Sequence, residues 1–274
     1  MIRLVTPATA RPGLRPTRAG TVIALVRAVS PAMARCELTH VARTPIDVAQ
    51  AREQHAAYVA TLSALGCRIV EVDAAPALPD SVFVEDTAVV LDELAIITRP
   101  GAVSRRPEGA AVEHALTGWR TVARIEAPGT LDGGDVLRIG RTVYVGTTAR
   151  SNAQGISQLE RIVARFGYRV VAVPVRGCLH LKSAVTCVAP DALLLNAEWI
   201  DAGHWRGMRI LAVARGEPHA ANALRVGDVV VHAASAPRTR ERLEAAGLRV
   251  RPVDVSEMEK AEGAVTCCSI VFAP

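Results

Sequence analysis

The stretch TLDGGDVLRIGRTVYVG, residues 130–146, opens on an acid and a glycine pair, then runs as two apolar segments flanking Ile139-Gly140-Arg141. Two short apolar runs split by a glycine turn are the pattern of a β-hairpin. An apolar stripe at three-four spacing follows in 151–167, and a further short strand, YRVVAVPV, in 168–175. The unit therefore reads hairpin, helix, strand.

The same plan recurs on both sides. Its β-segments are AVVLDELAIIT (88–98), DVLRIGRTVYVG (135–146), VTCVAPDALLLN (185–196), ALRVGDVVVHA (223–233) and CSIVF (268–272). Asp86, Asp132, His180, Asn222 and Cys267 stand in front of them, at steps of 46, 48, 42 and 45 residues. Such a period marks a repeat architecture. The fifth segment lacks a returning strand, and the early run TVIALVR (21–27) lacks a partner. Pairing the two would close a ring and leave no raw edge. The expected fold is a five-bladed α/β propeller with pseudo-fivefold repeats, a single domain over 1–274. Two carboxylates, an imidazole and a thiol then converge on its central cleft, a set suited to thiol chemistry on a cation.

Hydrophobic residues make up 50% of the 274-residue chain, enough for a core of this size. Its longest apolar runs are strand-length, so no membrane helix is expected. A net charge of +5 invites a nucleic-acid reading, but Lys182 and Lys260 are the only lysines and aromatics are 3%. Arginine scattered through an alanine-rich chain, without stacking platforms, argues against nucleic acid. Six cysteines (36, 67, 178, 187, 267 and 268) show no metal-ligand spacing. Free thiols in a reducing cytoplasm are the expectation, with no metal and no cofactor. Arg3, Arg11, Arg15 and Arg18 without an acid suggest a frayed or strand-leading start, and only faintly a transit peptide.

Helices are expected at 46–65, 151–167 and 237–247, each stopped by a glycine (Gly66, Gly167, Gly247), with Ser151 as a cap for the second. Strands should follow at 67–72, 120–126, 168–175, 208–214 and 248–255.

A cysteine opening a strand is ordinarily a small buried residue. The place of Cys267 in the repeat, shared with His180, makes it the candidate nucleophile, while Cys268 projects the other way and is structural. His180, with a pKa near neutrality, suits a general acid and base. The other histidines read as surface or packing residues. Gly133-Gly134 would let a substrate lie close to the backbone beside Asp132, and Asp135 reads as a turn-holding acid. Glu85 and Asp86 aimed at one cleft would make a socket for a planar guanidinium, which carboxylates grip in fork geometry.

Together DSVFVEDTAVV (80–90), ITRPGAVSRR (97–106), TLDGGDVL (130–137), LHLKS (179–183) and TCCS (266–269) resemble the dimethylarginine dimethylaminohydrolase family, among the guanidine-modifying penteins. The resemblance spans essentially the whole chain. It implies Cys267 as nucleophile, His180 as acid and base, and Asp132 as the carboxylate completing the triad, where some relatives carry Glu. It implies Asp86 with Glu85 at the guanidinium. Asp80, Arg105 and Arg150 would hold the amino-acid end, with Leu38 from a lid loop and Ala261 through its backbone. The expected substrate is a small molecule, a methylated arginine, converted to citrulline through a covalent thiouronium by a monomer or homodimer. Three rivals share the fold. An arginine deiminase typically carries His-x-Asp, where this chain has His180-Leu181-Lys182. An amidinotransferase needs an amine-acceptor pocket, and a non-catalytic pentein has no use for the acid, histidine and thiol together.

Overall fold

The computed structural model describes residues 22–274. The four N-terminal arginines noted above, and Thr21 of the first apolar run, lie outside the described residues. Every predicted hairpin forms, and each gains a third strand in parallel. The first complete blade joins β3 (Ala88–Val90) antiparallel to β4 (Leu94–Ile97), and β4 parallel to β5 (Thr121–Arg124). The next is β6 (Val136–Ile139), β7 (Thr142–Thr147) and β8 (Arg169–Pro174). Then come β9 (Val185–Ala189), β10 (Ala192–Leu195) and β11 (Arg209–Ala212). The fourth is β12 (Ala223–Val226), β13 (Val229–Ala233) and β14 (Arg249–Val253).

Both chain regions flanking these blades build the fifth. There β1 (Ile23–Arg27) runs antiparallel to β15 (Ile270–Phe272), with Ile23 opposite Phe272, and parallel to β2 (Arg68–Val72). The ring closes through the pairing expected from its two unpartnered runs. The first strand of each hairpin lies innermost: β15 meets β3, β6 meets β9, and β9 meets β12.

Helices cover the outer faces where the sequence carries a stripe. Asp47 caps α1 (Val48–Ala64) by accepting the Ala49 and Gln50 N–H groups, and Tyr58 and Leu62 on its inner face are fully buried. Gly66, at φ +89°, lets the chain turn back toward β2, a backbone that a side chain would strain. The eight-residue α2 (Gly109–Leu116) covers the β3 blade. Asn152, not Ser151, caps α3 (Ala153–Ala164), accepting from the Gly155 N–H, because the Ser151 hydroxyl is committed to Asp135. The single turn α4 (Leu181–Ala184) leads into β9, α5 (Pro237–Ala245) covers the β12 blade, and α6 (Ser256–Glu259) packs on α1. The β9 blade departs from the plan. Between β10 and β11 there is only a 3-10 turn, Ala202–Trp205, and the buried Trp205 ring fills the space a helix occupies elsewhere.

Candidate active site

Each inner strand is entered through a short turn, and these turns meet at the middle of the ring. Asp86 lies in the 3-10 turn Val84–Thr87 ahead of β3. Asp132 precedes the turn Gly133–Asp135 ahead of β6. His180 precedes α4, and Cys267 sits just before β15. A repeated connection thus delivers two carboxylates, an imidazole and a thiol to one place.

His180 is held from both sides. Its Nε2 lies 3.1 Å from Asp132 Oδ2 and its Nδ1 lies 3.8 Å from Asp86 Oδ1. Asp132 is fully buried, and its Oδ1 accepts the Gly101 N–H at 2.9 Å. Burial alone would draw the imidazole pKa down, yet the carboxylates of Asp86, Asp132 and Asp135 raise it to about 9. The expectation of a value near neutrality is therefore corrected: at pH 7 the free site holds an imidazolium. Asp86 moves the opposite way. Burial works against its charge, but His180, Arg105 and the Gly134 N–H take it down to about 2.

Arg105 is heavily engaged. Its Nη1 donates to Asp86 Oδ2 at 2.6 Å, its Nε and Nη2 to Glu108, and its Nη2 also to the carbonyls of Asp80 and Phe83. Buried charges persist when paired this completely. Arg150 is less committed, with Nη2 on Thr39 Oγ1 at 3.0 Å and Nη1 at 3.8 Å from Asp132.

Glu85 departs from the expected socket. Its carboxylate turns from Asp86 to Lys182 Nζ at 2.5 Å and Thr266 Oγ1 at 2.6 Å. Neighbours on a chain rarely point together, and here the second acid satisfies a half-buried ammonium instead. Asn222, the fourth residue of the series, also serves Thr266: its Oδ1 accepts the Thr266 N–H and its Nδ2 donates to the hydroxyl. It fixes the turn before Cys267 and is no part of the cleft wall.

The cleft wall includes Asp80, Asp86, Arg105, Arg150, His180, Ala261 and Cys267, all expected from sequence. Asp132 stands behind His180. Leu38 packs on the core beside the cleft and is not part of its wall, which its neighbour Glu37 joins instead. Phe83, Leu179, Glu262 and Gly263 complete the wall and were not read from sequence. Cys267 is half-buried, and burial with the nearby charges of Glu85 and Asp86 pushes its thiol well above the ordinary range. Cys268 is buried in the core, with Sγ directed at the Ala264 carbonyl.

The glycine pair is required by the protein's own packing. A Cβ on Gly134 would stand 2.6 Å from His180 Nδ1 and 2.7 Å from Asp86 Oδ1, and one on Gly133 would collide with the Glu85 carbonyl. Asp135 does hold the turn, accepting from the Leu181 N–H and the Thr148 and Ser151 hydroxyls. Asp86, Asp132 and His180 could offer a metal three atoms within 4.8 Å of one another. Arg105 already pairs with Asp86 and His180 with Asp132, so these groups are engaged with one another.

Residues 41–272 match the family described as N,N dimethylarginine dimethylhydrolase, eukaryotic. The chain belongs to the dimethylarginine dimethylaminohydrolase family. It is 48% identical over 248 residues to N(G),N(G)-dimethylarginine dimethylaminohydrolase of Streptomyces coelicolor, covering 90% of this chain and 95% of that one. A mutant of the family's Pseudomonas aeruginosa member, complexed with citrulline, superposes at TM-score 0.87 and 35% identity over 91% of this chain and 98% of its own. A family member's adduct with S-methyl-L-thiocitrulline superposes equally well, at TM-score 0.87 and 35% identity, with the same shares of each chain. Among the described residues no helix is long and apolar enough to cross a membrane.

Proposed function

We propose that this protein hydrolyses Nω-methylated arginines, asymmetric dimethylarginine and monomethylarginine, to citrulline and methylamines, with Cys267 as nucleophile. The observation that carries this reading is His180, held between Asp132 and Asp86 on the cleft that Cys267 borders. A neutral thiol in the free site waits for a cation. The guanidinium entering beside Asp86 supplies it, favouring loss of the thiol proton to solvent. The thiolate adds to the central carbon, giving a neutral tetrahedral adduct. His180 then protonates the departing amine nitrogen, and the carbon–nitrogen bond breaks to leave a thiouronium cation on Cys267. Neutral His180 takes a proton from water, the hydroxide adds to the same carbon, and collapse expels the thiolate while the new hydroxyl loses its proton to solvent, giving citrulline. No oxyanion forms in the first half, so carboxylates stand where acyl-transfer sites place N–H donors. Asp80, Ala261 and the two arginines would receive the amino-acid end, the protein acting in the cytoplasm as a monomer or homodimer.

The test is product analysis with arginine, monomethylarginine and asymmetric dimethylarginine in parallel. Citrulline with methylamine or dimethylamine from the methylated pair, and little from arginine, is expected. Ammonia and citrulline chiefly from arginine would instead indicate a deiminase.

The two arginines should separate in this assay. Arg150→Ala is expected to raise KM for methylarginines at least tenfold and to leave methylguanidine, which lacks the carboxylate, within about threefold. Arg105→Ala should depress turnover of both, because Arg105 holds Asp86 through a 2.6 Å ion pair. Methylguanidine turnover unaffected by Arg105→Ala would assign Arg105 to the carboxylate alone.

A further inference from the structure

The loop over residues 37–43 forms no strand pairing, and its N–H groups end on two carboxylates of the cleft wall. Asp80 receives the Glu37 N–H on both oxygens at 3.2 Å. Glu262 receives the Thr39 N–H on Oε2 and the Val41 N–H on Oε1, each at 2.8 Å, and the His40 N–H joins on Oε1. Thr39 also takes the Arg150 guanidinium on its hydroxyl. Glu262 itself is unusual. Its φ is +57°, and it is the one non-glycine residue with positive φ among the described residues. The turn that ends α6 sets this backbone, with the Glu262 N–H on the Glu259 carbonyl and the Gly263 N–H on the Met258 carbonyl, and it leaves the carboxylate facing the loop, where it takes three N–H groups. The cleft beneath retains about 10 Å³, room for roughly one water. Leu179, Glu262 and Gly263 are shared with an adjoining cavity of about 350 Å³, which His40 and Val41 of the loop also line.

We propose that Glu262 is a positioning residue whose carboxylate latches the 37–43 loop over the cleft, so that a substrate enters and a product leaves only when its three loop hydrogen bonds open. Asp80 and Arg150 tie the same loop but are themselves part of the expected binding wall. Glu262 borders the cleft as well, but it is the contact whose removal loosens residues 39–41 while leaving Asp80 and Arg150 in place. The identity of the substrate rests on the methylarginine reading; the latch does not.

Glu262→Gly is the informative variant, because glycine adopts φ +57° without strain while the carboxylate is lost. Its melting temperature should equal or exceed that of the parent. Hydrogen exchange at the Thr39, His40 and Val41 amides should quicken at least tenfold. KM for asymmetric dimethylarginine should rise at least tenfold while kcat changes less than threefold, since ordering the loop becomes part of binding. Glu262→Gln, which keeps an acceptor oxygen but loses the charge, should fall between parent and glycine variant in exchange. Unchanged exchange at those amides overturns the latch, whatever the enzyme hydrolyses. Faster exchange with unchanged KM, or a fall in kcat as large as the rise in KM, overturns its role in binding. Should the parent release no citrulline from methylarginines, the methylarginine reading fails and the amide exchange still decides the latch.

Discussion

Cys267→Ser should lower citrulline formation by at least about a thousandfold, a loss of the size found when a covalent nucleophile is removed. Cys268→Ser should retain most of the activity. The two thiols are chain neighbours with opposite surroundings: Cys267 borders the cleft with His180, whereas Cys268 is buried and faces the Ala264 carbonyl. Burial pushes the Cys268 thiol up to about 12, with the Glu85 charge adding to it, so it is an inert core group. Comparable loss in both variants, with both still folded, or a substrate-derived adduct mapped to Cys268, would reject the assignment.

His180→Gly should still react once with an S-alkylthiocitrulline. A thiolate leaves without a proton, so the acid role is bypassed, whereas the base role for water is not. The expected record is a burst of one thiol per site, followed by a stable adduct on Cys267 in the mass spectrum. With methylarginine, the same variant should lose activity by several orders of magnitude, because the leaving amine needs the proton that His180 carries with its pKa near 9. Steady turnover of the thio substrate would transfer the base role to another group, Asp132 first. No burst would mean that His180 also prepares the thiolate.

The ring and its main chemistry were legible because a repeat places the same kind of residue at the same step. Asp86, Asp132, His180 and Cys267 each enter an inner strand, and spacing alone brings them together. Closure by β1 and β15 was legible from two unpartnered runs. What spacing does not carry is the direction of a side chain one residue away. Glu85 was expected beside Asp86 in the socket, but its carboxylate is bound by Lys182 and Thr266, which arrive from distant turns. The glycine pair was read for a substrate because the reason for it, the close approach of His180 and Asp86, appears only in three dimensions. Glu262 carried no local signal, since its partners lie on a loop more than two hundred residues earlier in the chain. The β9 blade carries a short 3-10 turn, Ala202–Trp205, where the other complete blades carry a helix, and no stripe in the sequence at that place pointed to a helix.

The pairing of β1 with β15 has a kinetic consequence. It is the seam of the ring, joining segments at opposite ends of the described chain, and such distant contacts form slowly. Cys267 stands at the lip of that seam, its carbonyl accepting the Glu85 N–H at 3.2 Å. The remaining blades can assemble through nearer contacts before the thiol is in place. Recovery of activity after dilution from denaturant therefore times the zipping of the seam, and should lag behind recovery of strand content. In the reverse direction, parting of β15 from β1 should abolish activity while the four other blades remain paired.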